Sequence, residues 1–410
     1  MFNIYVEQLK FDKMNGVKKI KLGIFGFGCV GQGLYNVLQQ TRGINASIKK
    51  ICIKHPDKKR SIDRNYFTID RNELLNDPDI DVIVELIDDR DAAFEIVSAA
   101  LKNKKAVVSA NKRMIAEHFG ELYRLQQEYE TALLYEASCC ASIPIIRNLE
   151  EYYDNDLLNS VEGIFNGSTN YILTKIFEEN RNFNTALKEA QEKGFAESDP
   201  TLDIEGYDPK FKLTIILSHA FGLFVEPEKI FHYGIQHLNE FDINYAREKN
   251  ATIKLVAKCK KLDDSVYAYC LPRFVSNGNN LNKVNNEYNG VLVEGAFSEN
   301  QFFTGKGAGG NPTGSAVLSD ISALTYHYKY EYKKVYQQLN YKYTTDVPLE
   351  IYVRYDAHVK IDINDFDYVS VRFHSEECNY IIGKINLDKL IKLPWLKNKN
   401  VNVILTENNI

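Results

Sequence analysis

The sequence predicts an α/β protein: a parallel-sheet domain with crossover helices, then an α+β domain, then a small C-terminal module. Three observations point to this. Between Lys18 and Ala137 apolar β runs alternate with stretches of helical periodicity. A glycine turn joins the first of those runs to the first helical stretch. Beyond Pro144 the alternation gives way to separated β runs with helical stretches between them.

The elements follow in order. KKIKLGIF (18 to 25) alternates and then becomes apolar, as a strand entering a buried parallel sheet does. Val30, Leu34, Val37 and Leu38 recur at helical spacing, and the run Ser47 to Ile53 closes a βαβ unit. DVIVEL (81 to 86), the helix AAFEIVSAALKNK, AVVS (106 to 109), a further helix and TALLYEA (131 to 137) continue the pattern. VEGIFNG (161 to 167), VYAYCLPRFV (266 to 275) and NGVLVEGAF (289 to 297) are the β runs of the second domain. From Gly314 to about Tyr330 a helical pattern returns, and it is expected to fold back onto the first domain. LEIYVRY and DYVSVRF mark the last module. The expected domains are therefore 1–135 completed by a helix at 314–335, then 136–313, then 341–410.

Composition removes several function classes. With 44% hydrophobic and 26% charged residues over 410 positions, the chain is that of a globular protein with more than one core. A net charge of -5 without a basic stripe argues against nucleic acid as a partner. No window of about 18 apolar residues predicts a membrane span, and MFNIYVEQLKFDK lacks the apolar core of a signal peptide. Seven cysteines in no repeated spacing and eight scattered histidines suggest neither a disulfide framework nor a zinc cluster. A reducing, cytoplasmic setting is expected.

Gly26-Phe27-Gly28-Cys29-Val30-Gly31 is a GxGxxG turn between strand and helix, the fingerprint of a Rossmann-type dinucleotide site. The first glycine permits the turn, the second lets the backbone approach a pyrophosphate, and the third lets helix pack on strand. At the end of the second strand, where an acid would take the ribose hydroxyls of NAD, stand Lys54, His55, Lys58, Lys59 and Arg60. Cations there favour the 2'-phosphate of NADP, while a solvated basic loop would leave NAD and NADP equally open. Hydride transfer to a carbonyl creates an alkoxide, which calls for a nearby proton donor. Lys112, after Ser109-Ala110-Asn111 at the carboxyl edge of a parallel strand, is a candidate. The polar run GFAESDPTLDIEGYDPKFK (194 to 212) places Glu197, Asp199, Asp203, Glu205 and Asp208 ahead of Lys212, a set suited to an ammonium group. Asp208 before Pro209 also suits a plain helix N-cap, and Asp208 with Lys212 a plain i, i+4 pair. A second glycine loop, Gly305 to Gly314 and including Gly307, can bring backbone amides to a cofactor.

Taken in order, GFGCVG, VELI, SANK, YEAS, IPII, GIFNGSTNYIL, GFAESDPTLDIEGYD and GKGAGGNPTGSAVLSDI resemble the homoserine dehydrogenase family over roughly residues 20 to 330. The resemblance implies NAD(P)-dependent interconversion of L-homoserine and L-aspartate 4-semialdehyde, in threonine, methionine and isoleucine biosynthesis. It implies catalytic roles for Lys112, Lys212 and Asp208, and substrate binding by Glu197, Asp203, Asp208 and Thr169. It implies cofactor contacts from the 26–31 turn, Lys54, Ser109, Ala110, Lys112 and Gly307. A sodium-type cation would be held by Glu136 and the carbonyls of Cys139, Ala141 and Ile143, and the chain would form a homodimer or homotetramer. The chain departs from the family pattern with Asp88-Asp89 and Cys140-Ala141-Ser142 where glycines are usual. Many members carry a C-terminal ACT domain; the tail here reads as a degenerate one. Two alternatives stand beside active turnover: a nucleotide-binding paralogue serving as sensor or partner subunit, and an amino-acid dehydrogenase of different substrate.

Overall fold

The computed structural model describes residues 19–337 and 339–407, so the N-terminal stretch read above for a leader lies outside the described residues. The chain divides into two compact units. The first takes the described residues up to Pro144 with Gly309–Glu331, and the second takes Ile145–Ala308 with the described residues from Tyr332 onward.

The first unit runs β1 (Ile20–Phe25), α1 (Cys29–Gln40), β2 (Ala46–Cys52), β3 (Phe67–Thr68), β4 (Val82–Glu85), α2 (Arg90–Lys102), β5 (Ala106–Ser109), α3 (Lys112–Glu117) and β6 (Leu133–Leu134). Its sheet has the order β3-β2-β1-β4-β5-β6, with every pair parallel. Strand order reverses between β1 and β4, so the carboxyl ends of these two strands form the switch point where ligands sit in doubly wound sheets. Helices cover both faces, which is why β4 is buried throughout and reads as an unbroken apolar run up to Glu85.

The returning helix spans Gly310–Leu324, starting four residues earlier and ending well before the expected 335. Pro312 falls in its first turn, where the missing N–H costs nothing. It crosses α1 glycine against glycine: a Cβ on Gly33 would lie 1.9 Å from the Gly310 carbonyl oxygen, and one on Gly314 2.4 Å from the Leu34 nitrogen. The glycines of this loop thus serve helix packing. Asp320 on this helix accepts from the Glu136 N–H (2.9 Å), and the Tyr330 hydroxyl accepts from the Tyr135 N–H (3.3 Å). These bonds hold residues 136–144 to the first unit, past the expected boundary at 135.

The second unit contains β7 (Leu158–Ile164), α4 (Gly167–Glu179), α5 (Thr201–Ile204), α6 (Tyr207–Phe221), β8 (Ala251–Leu262), β9 (Ser265–Ser276), β10 (Tyr288–Gly295), β11 (Glu299–Lys306), β12 (Pro348–Tyr355), β13 (Tyr368–His374), β14 (Asn379–Asn386) and β15 (Val401–Leu405). One sheet joins them in the order β11-β10-β7-β8-β9-β15-β12-β14-β13, with two short strands pairing β9 off that path. The run VEGIFNG is strand only to Ile164, because Asn166 turns the chain and caps α4. The segment 341–410 is expected as a module apart; its described residues, up to 407, extend the same sheet through β15 beside β9, and Leu349, Ile351 and Leu405 share a core with Tyr269 and Leu271. Their own order, β15-β12-β14-β13, is that of a split βαββαβ fold. A three-residue turn, Ile363–Asp365, replaces the first helix. Among the described residues no helix is long and apolar enough to cross a membrane.

Candidate active site

The glycine turn has the geometry that a dinucleotide cradle needs. Gly26 has φ 95°, and a Cβ there would meet the Leu86 carbonyl at 2.6 Å. Around a Cβ on Gly28 nothing lies within 4 Å, so this backbone faces open space. A Cβ on Gly31 would strike the Gly26 carbonyl at 2.7 Å. Strain, approach and packing therefore fall on the three glycines in turn, with the N-terminus of α1 behind them. A cleft of about 620 Å³ opens here, lined by the 25–28 turn, Lys54, His55, Lys58, Arg60, Arg71 and the loop Leu86 to Asp89. Arg60 is held in it: its guanidinium donates to the carbonyls of Lys58 and His55 (2.8 Å each) and stacks over Phe67 at 5.1 Å. Its Nε is buried without a partner.

At the switch point β4 and β5 are tied by side chains. Glu85 is fully buried. Its carboxylate accepts from the Ser109 hydroxyl (2.5 Å) and the Ile87 N–H (2.8 Å), and burial pushes it up to about 7 against those two bonds. Asn111 caps α3 by accepting from the Met114 N–H and donates to the Ile87 carbonyl (3.0 Å). Lys112 is the first residue of that helix, half-buried, and Ala110 N–H bonds the Glu85 carbonyl at 3.2 Å. Of the two acids where glycines are usual, Asp89 is the N-cap of α2, accepting from the Ala92 N–H at 3.1 Å, and both are exposed. The pair is thus accommodated as a helix start. In the 136–144 loop Cys140 (φ 52°) and Ala141 (φ 41°) both lie in the left-handed region, the physical reason glycine suits those positions. Glu136, Cys139, Ala141 and Ile143 are all buried in this loop.

In the second unit the polar run condenses onto the start of α6. Lys212 donates to the Asp208 carboxylate (2.7 Å) and the Phe165 carbonyl (2.7 Å), and both ionic side chains are buried. Of the two readings of Asp208, the N-cap that its place before Pro209 also suits is not the one found. The cap is Gly206 at φ 87°, and α6 begins at Tyr207. The carboxylate is instead taken up by Lys212 and by Asn166, whose amide also reaches Asp203 (2.8 and 2.7 Å). Thr169 is fully buried and donates to the Asn166 side chain at 2.9 Å. Glu197 stands exposed before α5, and its carbonyl accepts from the Gln191 side chain (2.9 Å). Gly307 belongs to this second unit, pressed on Asn289 so closely that a Cβ would fall 2.1 Å from it.

Sequence reading passed over Asn166 and Glu85. Asn166 carried a usable signal, an asparagine directly before a helical run, but a cap is silent about what its second amide atom does. Glu85 ends an apolar run, and only tertiary burial makes it unusual. Among the described residues no cluster of three or more His, Cys, Asp or Glu side chains could hold a metal ion.

Residues 26–136 match the family model "Homoserine dehydrogenase, NAD binding domain", and residues 144–322 match the model "Homoserine dehydrogenase". The homoserine dehydrogenase of Bacillus subtilis is 31% identical over 397 residues, covering 92% of this chain and 88% of that one. The crystal structure of a homoserine dehydrogenase from Thiobacillus denitrificans superposes with a TM-score of 0.83 at 27% identity, over 95% of this chain and 98% of the other. A hyperthermophilic archaeal homoserine dehydrogenase in complex with NADPH superposes at 0.65 and 25% identity, over 76% and 99%. The chain belongs to the homoserine dehydrogenase family, NAD(P)-dependent oxidoreductases that interconvert L-homoserine and L-aspartate 4-semialdehyde.

Proposed function

We propose that this chain carries out that reaction with NADP as its preferred carrier, that Lys212 and Lys112 share proton delivery, and that Glu197, Asp203 and Asp208 hold the substrate ammonium. The observation that carries the reading is the network Lys212–Asp208–Asn166–Asp203, a cation and two carboxylates gathered around one amide, buried but for the half-buried Asp203. Bound at the 26–31 turn, the nicotinamide carrier supplies a hydride in one direction and takes it in the other. As charge grows on the carbonyl oxygen, a fixed ammonium stabilises it, and the Phe165 carbonyl and Asp208 fix that of Lys212. Proton transfer from the same nitrogen completes the alcohol; in reverse, the nitrogen takes the proton back. Asn111 and Lys112, the cap and first residue of α3, follow directly on the end of β5, the carboxyl edge at which carriers bind in doubly wound sheets.

The immobilised Arg60 with its partnerless buried Nε, flanked by Lys54 and Lys58, supports NADP over NAD, as does the archaeal relative solved with NADPH. A sodium-type cation fits the 136–144 loop: the donors are one carboxylate and main-chain oxygens, hard ligands without thiolate pairs or imidazole. Burial first, and then the nearby carboxylates of Asp320 and Glu136, push the Tyr330 phenol well above its usual range, so this side chain stays neutral beside the loop. With the family likeness behind it, self-association as a homodimer or homotetramer belongs to the same proposal.

The test uses L-homoserine and 4-hydroxybutyrate, which lacks the amino group, with each carrier. The reading expects oxidation of homoserine, a loss of kcat/KM of at least 100-fold without the amino group, and a lower KM for NADP than for NAD. Equal use of both alcohols would refute the role given to the acids.

A further inference from the structure

Asn166 lies at the centre of this network without a role assigned to it. Its Oδ1 accepts from the Thr169 N–H (2.8 Å) and the Thr169 hydroxyl (2.9 Å). A backbone N–H can only donate, so the atom facing it must be the amide oxygen, and that fixes Nδ2 on the opposite side. There Nδ2 donates to Asp203 Oδ1 (2.7 Å) and Asp208 Oδ2 (2.8 Å). Asn166 is 4% exposed and its bond to Asp208 is buried, while Asp203 reaches in from a half-buried position. The neighbouring Phe165 carbonyl accepts from Lys212 (2.7 Å) and from Asn289 (3.2 Å), which anchors the same turn from β10.

Two carboxylates that approach one nitrogen repel each other, and they come from different elements, Asp203 from α5 and Asp208 from α6. A neutral amide with two N–H groups is the side chain that draws both in without adding charge. A serine hydroxyl has one donor, and an aspartate none when ionised. We infer that Asn166 is a positioning residue for the reaction: it clamps Asp203 and Asp208 at the spacing that receives the substrate ammonium and orients the Lys212 ion pair. This rests on the roles proposed above for those acids and Lys212.

The test separates this clamp from a helix cap. Asn166→Asp is nearly isosteric and caps α4 as well as asparagine does, but it places a third carboxylate where two N–H groups stood. A cap-only role leaves kcat/KM for homoserine as in the parent. The clamp predicts a loss of at least 100-fold, mostly in the homoserine KM, with NADP affinity unchanged. Parent-like kinetics in Asn166→Asp, or a loss that falls equally on NADP affinity, overturns the inference. Should Asn166→Asp not fold, Asn166→Ser still caps and keeps one donor; it should raise the homoserine KM about 10-fold, and an unchanged KM overturns the clamp. The single variants Asp203→Asn and Asp208→Asn serve as reference. If both match the parent enzyme, the roles given to the acids fail, whatever Asn166 does.

Discussion

Replacing Lys212 by methionine keeps the aliphatic stem and removes only the charge. The structure sets two magnitudes. Lys212 and Asp208 have side chains 8% and 4% exposed and meet at 2.7 Å, so the variant leaves a buried carboxylate with Asn166 but without its cation. Removing one partner of a buried pair costs about 3–5 kcal/mol, which for a unit of this size lowers the melting temperature by roughly 10 °C. The loss of a fixed donor at the developing oxyanion costs about 10²–10³-fold in kcat. Differential scanning fluorimetry and steady-state kinetics with homoserine and NADP read the two effects separately, with carrier binding followed by NADPH fluorescence. Lys212→Met should lose both stability and kcat and keep its NADPH affinity. Lys212→Met/Asp208→Asn should regain stability, because no charge is left buried alone, while kcat stays low. A kcat within threefold of the parent at unchanged KM would refute the catalytic role, and additive stability losses in the double variant would refute the buried-pair account.

Other outcomes follow from the same geometry. Arg60→Ser removes a guanidinium fixed by two carbonyls and Phe67; it should raise the NADP KM about 10–100-fold and leave the NAD KM unchanged, as measured by paired carrier titrations. Ala141→Gly relieves a left-handed alanine at φ 41° and should stabilise the first unit by about 1 kcal/mol in urea unfolding, whereas destabilisation would contradict the strain. Glu85 rises from 4.5 to about 7 on folding, chiefly by burial, so the folded state binds the extra proton between those values. Stability from this group is present below pH 4.5 and is lost as pH climbs through 7. Glu85→Gln should therefore flatten the decline, worth on the order of 3 kcal/mol, in unfolding curves at pH 5 and pH 8.

The parts of this protein legible in the sequence are those set by local pattern. The apolar runs of β1 and β4, the GxGxxG turn and the Asp208–Lys212 spacing all depend on near neighbours, and each is found as read. What escaped depends on partners far along the chain. Asp208 was weighed as an N-cap because Pro209 follows it, yet its carboxylate is claimed by Asn166, 42 residues upstream. The returning helix ends at Leu324, short of the expected 335, because aromatic spacing past Leu324 imitates helical periodicity while Tyr330 is spent on bonding Tyr135. The C-terminal strands read correctly as strands, but register alone cannot reveal that β15 joins β9 in one sheet. Arg60 was one of several cations in the sequence, and only its bonds single it out.

The central claim is that this chain oxidises homoserine through a buried lysine–carboxylate network and prefers NADP. The most direct measurement is NADPH formation by the purified chain with L-homoserine, run beside Lys212→Met and beside NAD. The account predicts homoserine-dependent NADPH formation, slower NAD reduction, and a rate at least 100-fold lower in the variant. Absence of turnover with a demonstrably bound carrier, or a Lys212→Met rate equal to the parent's, would contradict it.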